Sequence, residues 1–201
     1  CFPENFGTPA VMAYAYDQNP MVSAVLPDDE TSAYQMTRYL IRKGHKKIAL
    51  LAGREDNLHT RRRLKGYQNA LFDAQILYNP RLVRYVDWNK PSGYQETKRL
   101  LKEDITAIFC MADTIAGGVY QYLDEQGLRA GRDVSVVGFD NHVLSEYMIP
   151  GLTTMALPLK EIGTTSAKLL FDQIEKGEVE MNREILIPCF LVERCSVKEI
   201  K

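Results

Sequence analysis

The stretch that decides the fold of this chain is Asp133-Val134-Ser135-Val136-Val137-Gly138-Phe139-Asp140. Its run of β-branched and apolar residues predicts a strand that is buried on both faces. The strand ends at Asp140, so a carboxylate lies at its carboxyl end. Ligands of open α/β sheets bind outside the carboxyl ends of the strands. This stretch therefore predicts an α/β fold with a cleft and a ligand-contacting group.

Predicted strands and helices alternate along the rest of the chain. Strands are expected at residues 9–16, 21–26, 47–52, 82–86, 107–111, 134–139 and 152–157. Helices are expected at residues 29–43, 60–73, 92–102, 113–126 and 158–176, with a short helical piece at 142–147. Residues 183–196 close the chain as extended structure that Pro188 interrupts. This alternation predicts βαβ units and parallel sheets.

The composition excludes several classes of protein. The chain has 201 residues, of which 45% are hydrophobic and 25% charged, as in ordinary globular proteins. No apolar run approaches the roughly 20 residues that span a bilayer. The net charge is −1, so the chain has no overall basic field for nucleic acid. The densest basic cluster, Arg61-Arg62-Arg63 with Lys65, is expected to form a solvated helix face.

The cysteines indicate neither a metal site nor a disulfide framework. Cys1, Cys110, Cys189 and Cys195 form no CxxC motif and no Cys/His pattern with the spacing of zinc ligands. A reducing, cytoplasmic location without metal or other cofactor is the simplest expectation. Because the chain starts with Cys1, an exported lipoprotein is the alternative. We expect instead that the chain is a piece of a longer protein.

Six blocks of sequence carry a resemblance to a known family. They include Gly44-His45 followed by Ile48-Ala49, and Arg63-x-x-Gly66-Tyr67. The full set covers residues 42–53, 63–67, 107–113, 133–140, 152–154 and 191–196. In this order and spacing, the blocks resemble the effector-binding domain of the LacI/GalR family of bacterial transcription regulators, from about Thr8 to Ser196.

The resemblance implies a fold like that of the type I periplasmic binding proteins. Such a fold has two Rossmann-like lobes with parallel sheets, joined by three crossovers that would fall near residues 26–27, 157–158 and 188. Residues 1–26 and 158–187 would then form part of an N-terminal lobe, which is incomplete in this chain. Residues 27–157 and 188–201 would form the C-terminal lobe. A DNA-binding headpiece is expected outside the chain.

The resemblance also implies two principal effector contacts. Asp140 corresponds to an aspartate that binds effector hydroxyls, and a carboxylate accepts two hydrogen bonds from a sugar diol. Its alternative role is a loop or helix cap. Arg63 corresponds to an effector-contacting arginine with a planar fork of donors, and a surface salt bridge is its alternative.

His45, in a turn, is expected to cap helix carbonyls.

Three further residues are weaker candidates. Trp88 lies in a polar loop after a strand, where its ring would stack on the apolar face of a sugar or base, or pack as a core aromatic. Tyr14 is expected either to present a polar group from the N-terminal lobe or to pack within it. Asp113 is expected to cap a helix rather than to contact the ligand. Ala112 and Leu157 replace the asparagine and glutamine that sugar-binding members have, which leaves the effector's identity open.

The expected function is regulation of transcription by a small effector, most simply a sugar or sugar derivative. The effector would bind between two lobes and change how a homodimer presents its headpieces to operator DNA. Residues 113–126 are a candidate dimer helix. The alternative is an extracytoplasmic solute-binding lipoprotein of a sugar transporter, anchored at Cys1. No nucleophile elbow, P-loop or metal cluster occurs in the sequence, so no enzyme is expected.

Overall fold

The structure is a computed structural model that describes residues 2–3, 6–177, 181 and 183–200. The chain divides into two compact units. Unit 1 contains Cys1–Asp28 and Pro158–Cys189, and unit 2 contains Asp29–Leu157 and Phe190–Lys201. These boundaries lie within two residues of the crossovers expected from the resemblance. Cys1, on which the lipoprotein alternative depends, lies outside the described residues.

Strands and helices follow the predicted order. The strands of the described residues are β1 Ala10–Ala13, β2 Val22–Pro27, β3 Ile48–Ala52, β4 Val83–Tyr85, β5 Ala107–Cys110, β6 Ser135–Asp140, β7 Thr153–Ala156, β8 Glu184–Ile187 and β9 Phe190–Val192. The helices there are α1 Asp29–Arg42, α2 Leu58–Asp73, α3 Lys90–Leu100, α4 Asp113–Glu125, α5 Leu144–Tyr147 and α6 Leu159–Lys176. The segment expected to close the chain as extended structure forms β8 in unit 1 and β9 in unit 2.

Unit 1 contains a parallel sheet with the strand order β1-β2-β8. Helix α6 packs against this sheet through Ile162 and Leu169, which form a small core with Val25. The helix ends at Gly177, whose φ of 65° gives the left-handed turn that glycine adopts without steric cost.

Unit 2 contains a larger sheet with the strand order β4-β3-β5-β6-β7-β9. Strands β3 to β7 are parallel to one another, as the alternation of strands and helices predicts. Strand β9 differs, because it pairs with β7 in the antiparallel direction. An antiparallel edge strand on a parallel sheet is common among α/β proteins.

The two faces of the unit 2 sheet have separate helical layers. Leu51 and Val136 pack in one core cluster with Ile115 and Val119 of α4. Successive residues of a strand point to opposite faces, so Phe139 lies on the other side of the sheet. On that side α2 contacts the sheet, where the Tyr67 hydroxyl donates to the carbonyl oxygen of Ile48, 2.8 Å away.

Helix α2 is less solvated than its basic sequence predicts. Asn57 caps it, and its side chain accepts hydrogen bonds from the N–H groups of His59 and Thr60. Arg61 and Lys65 are exposed, as expected. Arg63 is 1% exposed, so the expectation of a solvated face is wrong at this position.

His45 is structural, although its contacts differ from those predicted. It is fully buried after the end of α1. Nδ1 lies 2.9 Å from the Thr106 hydroxyl, and Nε2 lies 3.1 Å from the Lys198 carbonyl oxygen. The ring therefore joins the α1–β3 turn to two distant segments, and the prediction that it caps helix carbonyls is wrong.

Among the described residues, every helix is too short or too polar to cross a membrane.

Candidate functional site

The sheet of unit 2 reverses its direction of growth between β3 and β5. The chain passes from β3 through α2 to β4 on one side, and then through α3 to β5 on the other side of β3. Such a topological switch point leaves a crevice at the carboxyl ends of the strands. Arg63 of α2 spans this point, since its Nη1 donates to the carbonyl oxygen of Met111, directly after β5, at 2.5 Å.

Two further contacts fix the Arg63 guanidinium. Its Nε donates to Oδ1 of Asp29 at 2.7 Å. Its central carbon lies 3.6 Å from the centroid of the Phe139 ring, a close cation–π contact. The predicted alternative of a surface salt bridge is therefore wrong, because Arg63 and its partner Asp29 are both buried.

Asp29 is a site residue that the sequence analysis did not single out. It is the first residue of α1 and is 1% exposed. Its Oδ2 lies 2.6 Å from Nδ1 of His59. Burial alone would raise the pKa of Asp29, but the charge on Arg63 and the hydrogen bond with His59 outweigh burial and lower this pKa. Asp29 is thus held as a carboxylate beside the guanidinium.

His59 also escaped the sequence-based prediction. It precedes Arg63 by four residues on α2 and therefore lies on the same helix face. Once Arg63 has been identified as a candidate, this four-residue spacing could have predicted from the sequence that His59 lies beside it. Both side chains reach the same carboxylate, with His59 at Oδ2 and Arg63 at Oδ1 of Asp29.

Asp140 is the last residue of β6, and it lies at the carboxyl ends of the strands, where Arg63 also lies. Its side chain is 28% exposed, and its Oδ1 is 4.0 Å from Nη1 of Arg63. Burial raises the pKa of Asp140 to about 6, a rise that Arg63 opposes and Asp29 increases. Its φ of 112° is rare for a residue other than glycine, and such backbone occurs preferentially at functional sites.

The alternative that Asp140 caps a helix is wrong. The next helix, α5, begins at Leu144, and Val143 stands at its N-cap without a side-chain cap hydrogen bond. Asp140 is thus separated from the helix start by the loop 141–143.

Asp113 is also not the helix cap that the sequence predicts. Ala112 occupies the N-cap of α4, and Asp113 is the first helical residue. The Asp113 carboxylate instead accepts hydrogen bonds from the Thr154 hydroxyl at 2.7 Å and the His142 N–H at 2.8 Å. Burial raises the pKa of Asp113 to about 7, with a further rise from the charge of Asp140. Asp113 therefore anchors the loop that follows Asp140.

Arg194 holds the same loop from another direction. Its Nη2 donates to Oδ1 of Asn141 at 2.9 Å, and its Nη1 donates to the carbonyl oxygen of Leu152 at 2.8 Å. Asn141 has a φ of 55°, so the last residue of β6 and the first residue of the loop both adopt positive φ. The resemblance included Arg194 in a sequence block without giving it a role.

Trp88 packs as the core aromatic that was one of its two predicted roles, and stacking on a ligand stays a prediction. The indole is half-buried and packs against the core cluster on the α4 side of the sheet. It also lies across the carboxyl end of β3, where a Cβ on Gly53 would be 1.9 Å from the ring. Glycine at position 53 therefore permits this placement. The ring is near the switch-point edge, and part of its surface is accessible.

Tyr14 belongs to unit 1, whereas the other four predicted site residues belong to unit 2. It is 37% exposed, so it does not pack fully within unit 1. Its φ is 57°, and its N–H donates to the carbonyl oxygen of Val25 at 2.9 Å. Tyr14 thus stays a separate candidate on unit 1.

Comparison with known proteins defines the class of this chain. Residues 37–197 match the periplasmic binding protein-like domain family. A solved LacI family transcriptional regulator from Enterococcus faecium, with bound ribose, has a TM-score of 0.84 and 33% identity. The match covers 95% of this chain and 70% of that structure. The chain belongs to the LacI family of transcriptional regulators.

Curated relatives agree with this assignment. The repressor CytR of Escherichia coli is 34% identical over 194 residues, which cover 96% of this chain and 57% of the relative. The repressor PurR of Vibrio atlanticus is 33% identical over 190 residues, which cover 91% of this chain and 55% of the relative. The chain thus spans about half the length of the curated relatives it matches.

Proposed function

We propose that this chain is the effector-sensing part of a sequence-specific transcription regulator and that its effector is a sugar or sugar derivative. One observation carries the proposal: Asp140 and Arg63 lie 4.0 Å apart at the carboxyl edge of the unit 2 sheet, beside its switch point. The similar regulator from Enterococcus faecium with bound ribose supports a sugar-like ligand.

The chemistry of unit 2 suits a polyhydroxyl compound. The Asp140 carboxylate accepts hydrogen bonds from two neighbouring hydroxyls of a sugar. Arg63 is held by Asp29 and Met111, so its guanidinium is already fixed in position and loses no side-chain entropy on binding. The accessible part of Trp88 offers an apolar surface on which the carbon face of a sugar ring stacks.

Regulation follows because effector binding and operator binding are thermodynamically linked. If the effector binds one arrangement of the protein better than another, it shifts the population and changes operator affinity by the same coupling free energy. A homodimer in the cytoplasm is part of the proposal, because two headpieces match two operator half-sites. Contact of the same effector with Tyr14 and dimerisation through α4 stay predictions.

Operator DNA is proposed to be bound by a part of the protein other than these 201 residues. Their net charge of −1 supplies no overall basic field for nucleic acid. The relatives PurR and CytR are repressors and do not favour the transporter lipoprotein alternative. They also support a function other than catalysis.

Titration calorimetry on the purified protein tests the ligand class directly. We expect ribose, glucose or adenosine to bind, and Asp140→Asn to weaken the best binder by at least about 30-fold through loss of a charge-assisted hydrogen bond. Asp104→Asn is the matched control, because Asp104 is exposed and pairs with Lys47 just before β3, at the opposite edge of the sheet. Equal affinity of Asp140→Asn and the original protein would contradict the site.

A further inference from the structure

We propose that the effector presents an uncharged polyhydroxyl face to unit 2, and that Asp29 sets this preference by neutralising Arg63. The inference deepens the proposed function and rests on it. It divides possible effectors into free sugars and nucleosides, which unit 2 accepts, and their phosphate esters or acids, which it disfavours.

The first step concerns the positive charge of Arg63. An arginine near a ligand site ordinarily favours phosphate or carboxylate, because its fork matches their geometry. Here the Nε of Arg63 donates a hydrogen bond to Asp29 at 2.7 Å, and its Nη1 donates one to the carbonyl oxygen of Met111 at 2.5 Å. The plane of the guanidinium lies over the ring of Phe139. The guanidinium charge is thus balanced by a carboxylate that is 1% exposed and cannot be displaced into solvent.

The second step concerns the charges around Asp140. One guanidinium on α2 faces two carboxylates, Asp29 of α1 and Asp140 of β6. Asp113 of α4 adds a buried carboxyl group, whose pKa the charge of Asp140 raises further. Arg194, which holds the loop after β6, adds a second guanidinium, whose charge lowers the pKa of Asp113. Three acidic groups therefore face two guanidinium groups at this edge of the sheet, which leaves an excess of negative charge when all of them are ionised.

The consequence is selectivity by charge. Two like charges about 6 Å apart at an effective dielectric of about 20 repel enough to change an affinity by about 100-fold. A phosphate that projects away from Asp140 is screened by solvent, which reduces the effect. We therefore expect phosphate esters to bind between about 10-fold and 100-fold more weakly than their parent compounds.

Matched pairs of ligands test this expectation. Ribose and ribose 5-phosphate, glucose and glucose 6-phosphate, and adenosine and its monophosphate are titrated calorimetrically at pH 8. This pH lies above the pKa values of Asp140 and Asp113, which burial raises to about 6 and about 7. The inference requires that the neutral member of every binding pair binds more tightly. An ester that binds more tightly than its parent, and loses affinity in Asp140→Asn, would overturn the inference while leaving the proposed function intact.

Asp29→Asn tests the residue that we propose to set the preference. Removing its charge leaves Arg63 uncompensated, so the ratio of parent to ester affinity should fall by about 10-fold. Asp104→Asn removes an equal charge from an exposed position at the opposite edge and should leave the ratio unchanged. An unchanged ratio in folded Asp29→Asn would overturn the role of Asp29.

Asp29→Glu covers the case in which Asp29→Asn does not fold. It retains the negative charge, so it should preserve the ratio even where its longer side chain lowers both affinities. A ratio that falls in Asp29→Glu would show that geometry, and not charge, sets the preference. Failure of all three pairs to bind the original protein would contradict the proposed sugar-sensing function and, with it, the inference.

Discussion

The Asp113 carboxylate accepts a hydrogen bond from the backbone N–H of His142 at 2.8 Å. It thereby ties the start of α4 to the loop that follows β6, across 29 positions of sequence. The other carboxylate oxygen accepts the Thr154 hydroxyl of β7 at 2.7 Å. Asp140 precedes this loop directly, so the position of its carboxylate depends on a buried acid at the start of α4, the helix that precedes β6.

Replacing Asp113 should weaken effector binding without removing a ligand contact. Asp113→Asn replaces one acceptor oxygen with an NH2 donor, so its bond with Thr154 must reverse and its bond from His142 loses the charge assistance of the carboxylate. We expect about a 10-fold loss of affinity and faster hydrogen exchange at the His142 amide, because the loop loses an anchor. Asp124→Asn, at an exposed position of the same helix, is the control. Unchanged exchange at His142 would contradict the anchoring role.

Gly138→Ala should disturb the same contact from the strand side. A Cβ at position 138 would lie 2.1 Å from Oδ1 of Asp113, so the carboxylate would have to move. We expect a loss of about 1–3 kcal/mol in the free energy of unfolding. Gly117→Ala is the control, because its nearest neighbour would be 3.7 Å away and alanine favours a helix. Equal urea midpoints for both variants would be inconsistent with this packing.

Effector affinity should fall as the pH falls through the pKa of Asp140. This pKa is raised to about 6 by burial, and the proposed diol contact needs the ionised carboxylate. We expect about a 10-fold weaker affinity at pH 5 than at pH 7, and no such dependence in Asp140→Asn. Titration calorimetry at several pH values measures this. A pH dependence that persists in Asp140→Asn would assign the titration to another group.

Stability should change with pH in the opposite direction. Because the folded-state pKa of Asp140 lies above its ordinary value of 3.8, the folded state favours the protonated acid. Its contribution to stability is present below pH 4 and is lost as pH rises to about 6, a loss of roughly 3 kcal/mol. Asp140→Asn should therefore be more stable than the original protein at pH 8, by urea unfolding, and similar to it near pH 4.

The pair Arg63–Asp29 should show strong energetic coupling. Arg63→Met leaves a buried carboxylate without its counter-ion and should cost about 3–5 kcal/mol of stability. Adding Asp29→Asn removes the stranded charge and should recover more than half of that loss. A double-mutant cycle by urea unfolding measures the coupling. Arg61→Met, at an exposed position of α2, should change stability by less than about 0.5 kcal/mol.

Trp88 provides an intrinsic signal for binding. It is the only tryptophan of the chain and is half-buried beside Gly53. If a sugar stacks on its accessible surface, the fluorescence emission should shift and saturate at the calorimetric affinity. Trp88→Leu should weaken binding by about 5-fold to 10-fold through loss of the aromatic contact. If Trp88→Leu leaves the affinity unchanged, Trp88 contributes to the core and not to ligand binding.

Helix, strand and turn positions were predictable because their causes are local. The apolar run before Asp140, the helical spacing of Met36 and Leu40, and glycine at positions 44 and 177 act through neighbours in sequence. The direction of β9 was not predictable in this way. Its hydrophobic pattern is the same whether it pairs with β7 in parallel or antiparallel fashion.

The sequence by itself determined the order of the elements, the carboxylate at the end of β6 and the resemblance to a family of effector-binding domains. Only the tertiary structure decided that Arg63 is buried on Asp29 and that Asp113 anchors a loop instead of capping a helix. The physical reason is sequence separation. These hydrogen bonds join residues 34 and 29 positions apart, and a local pattern specifies a residue's own conformation but not its distant partner.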